Sequence, residues 1–119
     1  MMKDNIIQQK SYEFALKSVL LYKKIVIENK EYVLSKQFLR SSTSIGANIE
    51  ETIGAQSERD FLSKISISYK EARETHYWLR LLKDSNYINH NDATEMLNLC
   101  EEILRIIGKI QITIKSRNS

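Results

Sequence analysis

Apolar residues recur along this chain at alternating steps of three and four, the spacing that lines one face of an α-helix, in four separate stretches. From about Ser11 to Glu28, Tyr12, Ala15, Val19, Tyr22 and Val26 mark one stripe, widened by Phe14, Leu21 and Ile25. Asn29 and Lys30 are poor helix-interior residues and open a connection, after which Ser35 is placed to cap a second helix carrying Phe38, Ser42, Ile45, Ile49 and Ile53. Gly54 is placed to end that helix in a left-handed conformation, which glycine adopts without steric cost. Ser57 stands before Glu58, Arg59 and Asp60, so its hydroxyl can accept a free amide of a third helix while the acids complement the dipole. Phe61, Ile65, Ala72, His76 and Leu79 form the main face of that helix until Asp84, Ser85 and Asn86 break it. Asp92 with Glu95 makes an acidic capping box for a fourth helix filled by Ala93, Met96, Leu97, Cys100, Ile103, Leu104, Ile107, Ile110 and Ile114.

The expected helices, roughly 11–28, 35–53, 57–84 and 92–116, are about 25–40 Å long at 1.5 Å per residue, and short links between them favour antiparallel neighbours. The fold class is therefore all-α, an antiparallel up-down-up-down four-helix bundle, with residues 1–119 as one domain. The absence of proline and the presence of only three glycines fit this class, because sheet-rich folds punctuate their turns with both. Leu16, Leu20 and Ile27 on the first helix, with Ile106 and Ile112 on the last, exceed what one core stripe requires. A second apolar face on so small a bundle is expected to pack against another subunit.

One segment sets this patterning aside. Ser41 to Glu51 is small and polar inside an otherwise amphipathic helix, and Arg40, Ser44, Asn48 and Glu51 fall on one face. The structural expectation is that they meet Lys64, Ser68, Glu71 and Thr75 on the third helix, fixing register, since misregistered buried polar groups cost about 1–3 kcal/mol each. The functional alternative is that the stripe lines a groove or channel entered by a ligand or nucleic acid.

The net charge of +3, from 18 basic and 15 acidic residues, contains no block of like charge and is modest for a dedicated nucleic-acid binder. Lys23, Lys24, Lys64, Arg73, Arg80, Lys83 and Lys109 are the candidate nucleic-acid contacts, though most basic positions read as solvated helix faces. A homo-oligomer would repeat any weak patch and build a larger positive field. Trp78 with Tyr77 could stack bases, but beside Leu79 the indole is expected to pack at an inter-helix or inter-subunit boundary.

No chemistry-bearing pattern emerges. A di-iron bundle site needs histidine three residues after glutamate on two helices, and neither His76 nor His90 has that spacing, so no metal or cofactor is expected. His76 reads as a partly buried interface residue and His90 as a loop residue before the fourth helix. There is no glycine-rich phosphate loop, and no serine or cysteine stands in a strained turn beside a histidine base, so no catalytic residue is assigned. Cys100 reads as a small core hydrophobe, and a lone cysteine fits a reducing cytoplasm. The start, Met1 to Lys10, holds too short an apolar run for a signal peptide, and no stretch approaches the roughly 20 apolar residues of a membrane span.

Gln37-Phe38-Leu39-Arg40, Ser44 to Glu51, Ser57 to Phe61 and Lys70 to Leu82 together resemble the bacterial four-helix-bundle proteins of 23S ribosomal RNA intervening sequences, over about Phe14 to Leu104. The resemblance implies a small cytoplasmic bundle forming a ring-like homopentamer with no established enzymatic activity. A related branch, the accessory proteins of diversity-generating retroelements, is similar in fold and binds nucleic acid with a reverse transcriptase. The chain departs from the family at Gly46, where many members have proline. It departs again over Thr52 to Gln56, where Ala55 and Gln56 replace a basic pair. The combined expectation is a non-enzymatic homo-oligomer, a pentamer, acting as an RNA- or DNA-associated accessory or scaffold. The alternatives are a protein-interaction module without nucleic-acid contact and, more remotely, a metal-dependent bundle enzyme.

Overall fold

Four helices, α1 (Ile6–Asn29), α2 (Leu34–Ile53), α3 (Glu58–Asp84) and α4 (His90–Arg117), account for nearly all of residues 5–117, the part described by this computed structural model. The sequence expectations for Met1 to Asp4 and for the last two residues lie outside the described residues. Each helix packs on its neighbours in chain order and α1 closes the ring of contacts against α4, the sparsest of the four interfaces. Cross-helix pairs fix the directions. Gln8 reaches Glu50 and Ser11 abuts Gly46; Ser41 meets Thr75 and Glu51 meets Lys64; Ser66 meets Gln111 and Arg117 meets Glu58. Rising numbers on one helix meet falling numbers on the next, so the bundle is antiparallel, up-down-up-down, in a body of 48 × 23 × 21 Å.

The core runs the length of the bundle. Phe14, Phe38, Ile45, Ile49, Ile65, Leu79, Leu82, Ile103 and Ile107 are its large side chains, each at most 1% exposed. The expected faces of α2, α3 and α4 supply most of it, except that Ile53 is 41% exposed and Thr52 takes the buried position instead.

α1 differs from the sequence expectation. Its buried face is Ile7, Ser11, Phe14, Ser18, Leu21 and Ile25, whereas Tyr12 points outward and Ala15, Val19, Tyr22 and Val26 lie half-buried on a flank. The reason is the close packing of α1 on α2. A Cβ added at Gly46 would stand 3.3 Å from the Ser11 carbonyl oxygen, so the core face needs small residues where the backbones approach. Periodicity alone selects the most apolar face, and on α1 that is not the innermost one.

The helix ends also correct four expectations, the first being that α1 begins at Ile6, a turn and more before the expected start near Ser11. Ser35 does not cap α2; the Glu31 carboxylate accepts the amides of Val33, Leu34 and Ser35 at 2.7–2.9 Å. Burial alone would raise the Glu31 pKa, but these amide bonds outweigh it and hold it below its ordinary value. α4 begins two residues earlier than expected, with Asn89 as cap: its Oδ1 accepts the Asp92 amide at 2.7 Å and its Nδ2 donates to the Asp92 carboxylate at 3.2 Å. Gly54 does end α2 but at φ −97°, and the left-handed positions among the described residues are Asn5 (φ 46°), Lys30 (φ 52°) and Asn86 (φ 67°). Ser57 caps α3 as expected, its Oγ accepting the Asp60 amide at 3.0 Å.

Candidate functional site

The α2–α3 seam carries the polar run singled out in the sequence. Ser41, Ser42, Ser68 and Thr75 are fully buried, and small side chains let these two helices form the most intimate interface of the bundle. Ser68 Oγ donates to the Ile45 carbonyl at 2.9 Å, and the Thr75 and Ser41 hydroxyls share a hydrogen bond of 2.8 Å. Outside this buried layer, Arg40 pairs with both Glu71, at 3.4 Å, and Glu74, while Lys64 pairs with Glu51 at 3.0 Å. Glu74 also accepts the Trp78 indole N–H at 2.9 Å. That bond, together with Arg40, lowers the Glu74 pKa against the opposing effect of burial.

The seam thus brings together Arg40 with Glu71, Glu51 with Lys64, and Ser68 and Thr75 with α2. Ser44 and Asn48 behave differently: the Asn48 amide donates back to the Ser44 carbonyl at 2.9 Å and lies 3.2 Å from its hydroxyl, within α2. Ser41 and Glu74 are cross-helix partners that the face-by-face reading passed over. Ser41 lies one position from Arg40 and so off the chosen stripe, and Glu74 is a turn beyond Glu71. Among the described residues every buried hydroxyl is bonded, so the buried layer of the seam holds no hydroxyl in need of a ligand or water.

The outer face of α1 is the second notable surface. Tyr12, Leu16, Leu20 and Ile27 are 53–72% exposed and follow one another at helical spacing, so they form one apolar stripe, with Lys23 among them. Toward α4 the same helix carries Lys10, Lys17 and Lys24, each paired with a carboxylate: Glu102 at 3.1 Å, Glu95 at 3.2 Å and Asp92 at 2.9 Å. This ladder spans the sparse α1–α4 interface and leaves the stripe beside it uncovered.

The seven candidate nucleic-acid contacts do not converge. Lys24, Lys64 and Lys83 face carboxylates, Lys23 lies on the α1 stripe, and Lys109 sits near the opposite end on α4. Arg73 and Arg80 do share a face, the exposed side of α3, together with Lys70 and Tyr77. The Arg80 guanidinium lies 5.8 Å from the Tyr77 ring centroid, and Tyr77 meets Trp78 edge-to-face at 5.1 Å. Among the described residues none of these three cations has an acidic partner.

His76 is half-buried and its Nε2 lies 3.0 Å from Glu101 on α4. His90 is not a loop residue but the first residue of α4, exposed, 3.4 Å from Thr94 Oγ1. Cys100 is buried, donates to the Ala72 carbonyl at 3.3 Å, and has its pKa pushed up to about 12 by burial, which keeps it a neutral thiol. Among the described residues no three His, Cys, Asp or Glu side chains gather as a metal site would require, and no helix is long and apolar enough to cross a membrane.

A comparison with curated proteins finds no match. Among solved structures, a protein of unknown function from the S23 ribosomal protein family of Bacteroides thetaiotaomicron VPI-5482 is 48% identical to this chain, with a TM-score of 0.87. The match covers 89% of this chain and 98% of that one. The family model for the 23S rRNA-intervening sequence protein matches residues 3–109. With that match spanning all but the last turns of α4, the chain belongs to the 23S rRNA-intervening sequence protein family.

Proposed function

We propose that this protein is a non-enzymatic, homopentameric bundle that serves in the cytoplasm as an accessory or scaffold factor associated with RNA or DNA. The observation that carries the assembly is the outer face of α1, where an apolar stripe is turned to solvent while two serines share the core face with Ile7, Phe14, Leu21 and Ile25. Closed symmetric assembly covers such a stripe equally on every subunit, whereas a free monomer leaves it as an aggregation hazard. The nucleic-acid half is supported by Lys70, Arg73 and Arg80 with Tyr77 on α3, three cations without acidic partners among the described residues around an aromatic face, repeated by each subunit. The pairing of Lys10, Lys17, Lys24 and Lys64 with carboxylates favours the other reading, a protein-interaction module.

Binding of single-stranded RNA by the assembled protein, followed by fluorescence anisotropy across a salt series, separates the two. Phosphate contacts give a log–log slope of about −0.7 per neutralised phosphate on a single strand. Arg73→Glu with Arg80→Glu is expected to abolish binding without changing the mass of the assembly. No binding at low salt removes the nucleic-acid half and leaves the interaction module.

A further inference from the structure

A cleft of about 520 Å³ opens where the α2–α3 connection and the first turn of α3 face the last turns of α4. Its size lies within the roughly 300–1,000 Å³ typical of small-ligand sites. Ala55, Phe61, Ile110 and Ile114 give the cleft its apolar walls, and Thr52, Gln56, Ser57 and Thr113 add polar groups to the lining. Of these, Ile114 is only 5% exposed, so the floor reaches into the end of the bundle core. Lys109 and Arg117 stand at the cleft. Arg117 pairs with Glu58, whereas Lys109 has no ion-pair partner among the described residues. Among the described residues, two cations and one carboxylate leave the lining with an excess positive charge beside its apolar walls. Lys109 is the charged lining residue without an ion-pair partner among the described residues, so an anionic head complements it, whereas a neutral apolar ligand leaves it unused.

We propose that this cleft binds a small amphipathic anion, an acyl or aryl body seated on Phe61, Ile110 and Ile114 with a carboxylate-type head at Lys109. The apolar body supplies most of the affinity through area removed from water, and the ammonium group discriminates in favour of the charged head. The site is independent of the α1 stripe and of the α3 basic face, so it stands whatever the outcome at either surface.

The test uses the assembled protein labelled at isoleucine δ1 methyl groups, titrated with octanoate and, separately, with 1-octanol. Octanoate is expected to shift the Ile110 and Ile114 methyl resonances while leaving Ile25 and Ile88, at the other end of the bundle, in place. It should bind about two- to fivefold more tightly than the alcohol, the range for a solvent-accessible ion pair. Lys109→Gln should erase that preference and leave the alcohol's affinity unchanged. Thr113→Trp, at an exposed position of the lining, should block both ligands without unfolding the chain. Absence of shifts at millimolar octanoate, shifts spread over all isoleucines, or equal binding of acid and alcohol would each overturn the assignment.

Discussion

Gly46 and Gly108 both lie inside helices, so replacing either with alanine gains the same local helix propensity, about 0.8–1 kcal/mol. Their surroundings differ. At Gly108 the nearest group to an added Cβ is Tyr69 Cε1 at 3.8 Å, an ordinary van der Waals contact. At Gly46 it is the carbonyl oxygen of Ser11 at 3.3 Å, with the carbonyl carbon at 3.5 Å. That oxygen belongs to the backbone ladder of α1 and cannot rotate away as a side chain would, so relief requires α1 to shift on α2. Overpacking of this kind costs about 1–3 kcal/mol, which cancels or exceeds the propensity gain. Gly108→Ala should therefore stabilise the protein by about 0.5–1 kcal/mol, while Gly46→Ala is neutral or destabilising by up to about 2 kcal/mol. At about 4 °C per kcal/mol for a domain of this size, the two melting temperatures should differ by about 2–12 °C. Thermal unfolding by circular dichroism at one protein concentration reads this directly, the fixed concentration cancelling any effect of assembly. Equal stabilisation by both substitutions would refute the view that close α1–α2 approach dictates the small residues of both helices.

Three further outcomes follow from the same geometry. A double-mutant cycle with Ser41→Ala and Thr75→Val should give a coupling of about 0.5–1.5 kcal/mol in chemical unfolding, and additivity would show that the buried hydroxyl pair contributes nothing to register. Because the folded-state pKa of Glu31 is depressed from its ordinary value near 4.5, its contribution is fully present above that pH and is lost as pH falls through the folded value. Glu31→Gln should flatten the acid limb of the stability profile in that window, and an unchanged limb would remove Glu31 as the α2 cap. Cys100, a buried neutral thiol with its pKa at about 12, should resist a thiol-specific chromogenic reagent in the native protein and react at once in denaturant. Rapid native labelling would contradict its packing.

The helices of the bundle are legible in the sequence because three of the four core faces are also the most apolar faces of their helices. Phe38, Ile45 and Ile49, then Ile65, Ala72 and Leu79, then Met96, Cys100, Ile103 and Ile107 all lie where periodicity places them. α1 breaks that equivalence. Its core contacts include Ser11 and Ser18, chosen for size, so a reading by hydrophobicity rotates the helix and places Tyr12 inside. The caps at Glu31 and Asn89 were hidden for a related reason. Each acts through a side chain reaching forward from a connection, and a nearby serine or aspartate offered an equally good local pattern. In the seam, charged partners such as Arg40 with Glu71 could be paired by face. The Thr75–Ser41 contact depends on axial register, which spacing within one helix does not specify. The outward stripe of Leu16, Leu20 and Ile27 was visible as apolar excess, and the structure shows it to be the true outer face of α1.

That face carries the proposal of assembly, and native mass spectrometry tests it most directly. The intact protein should give a single species at five times the 13.9 kDa of one chain, and Leu16→Glu with Leu20→Glu should reduce it to folded monomers. A monomeric wild-type protein at micromolar concentration, or a pentamer that survives both substitutions, would contradict the role assigned to α1.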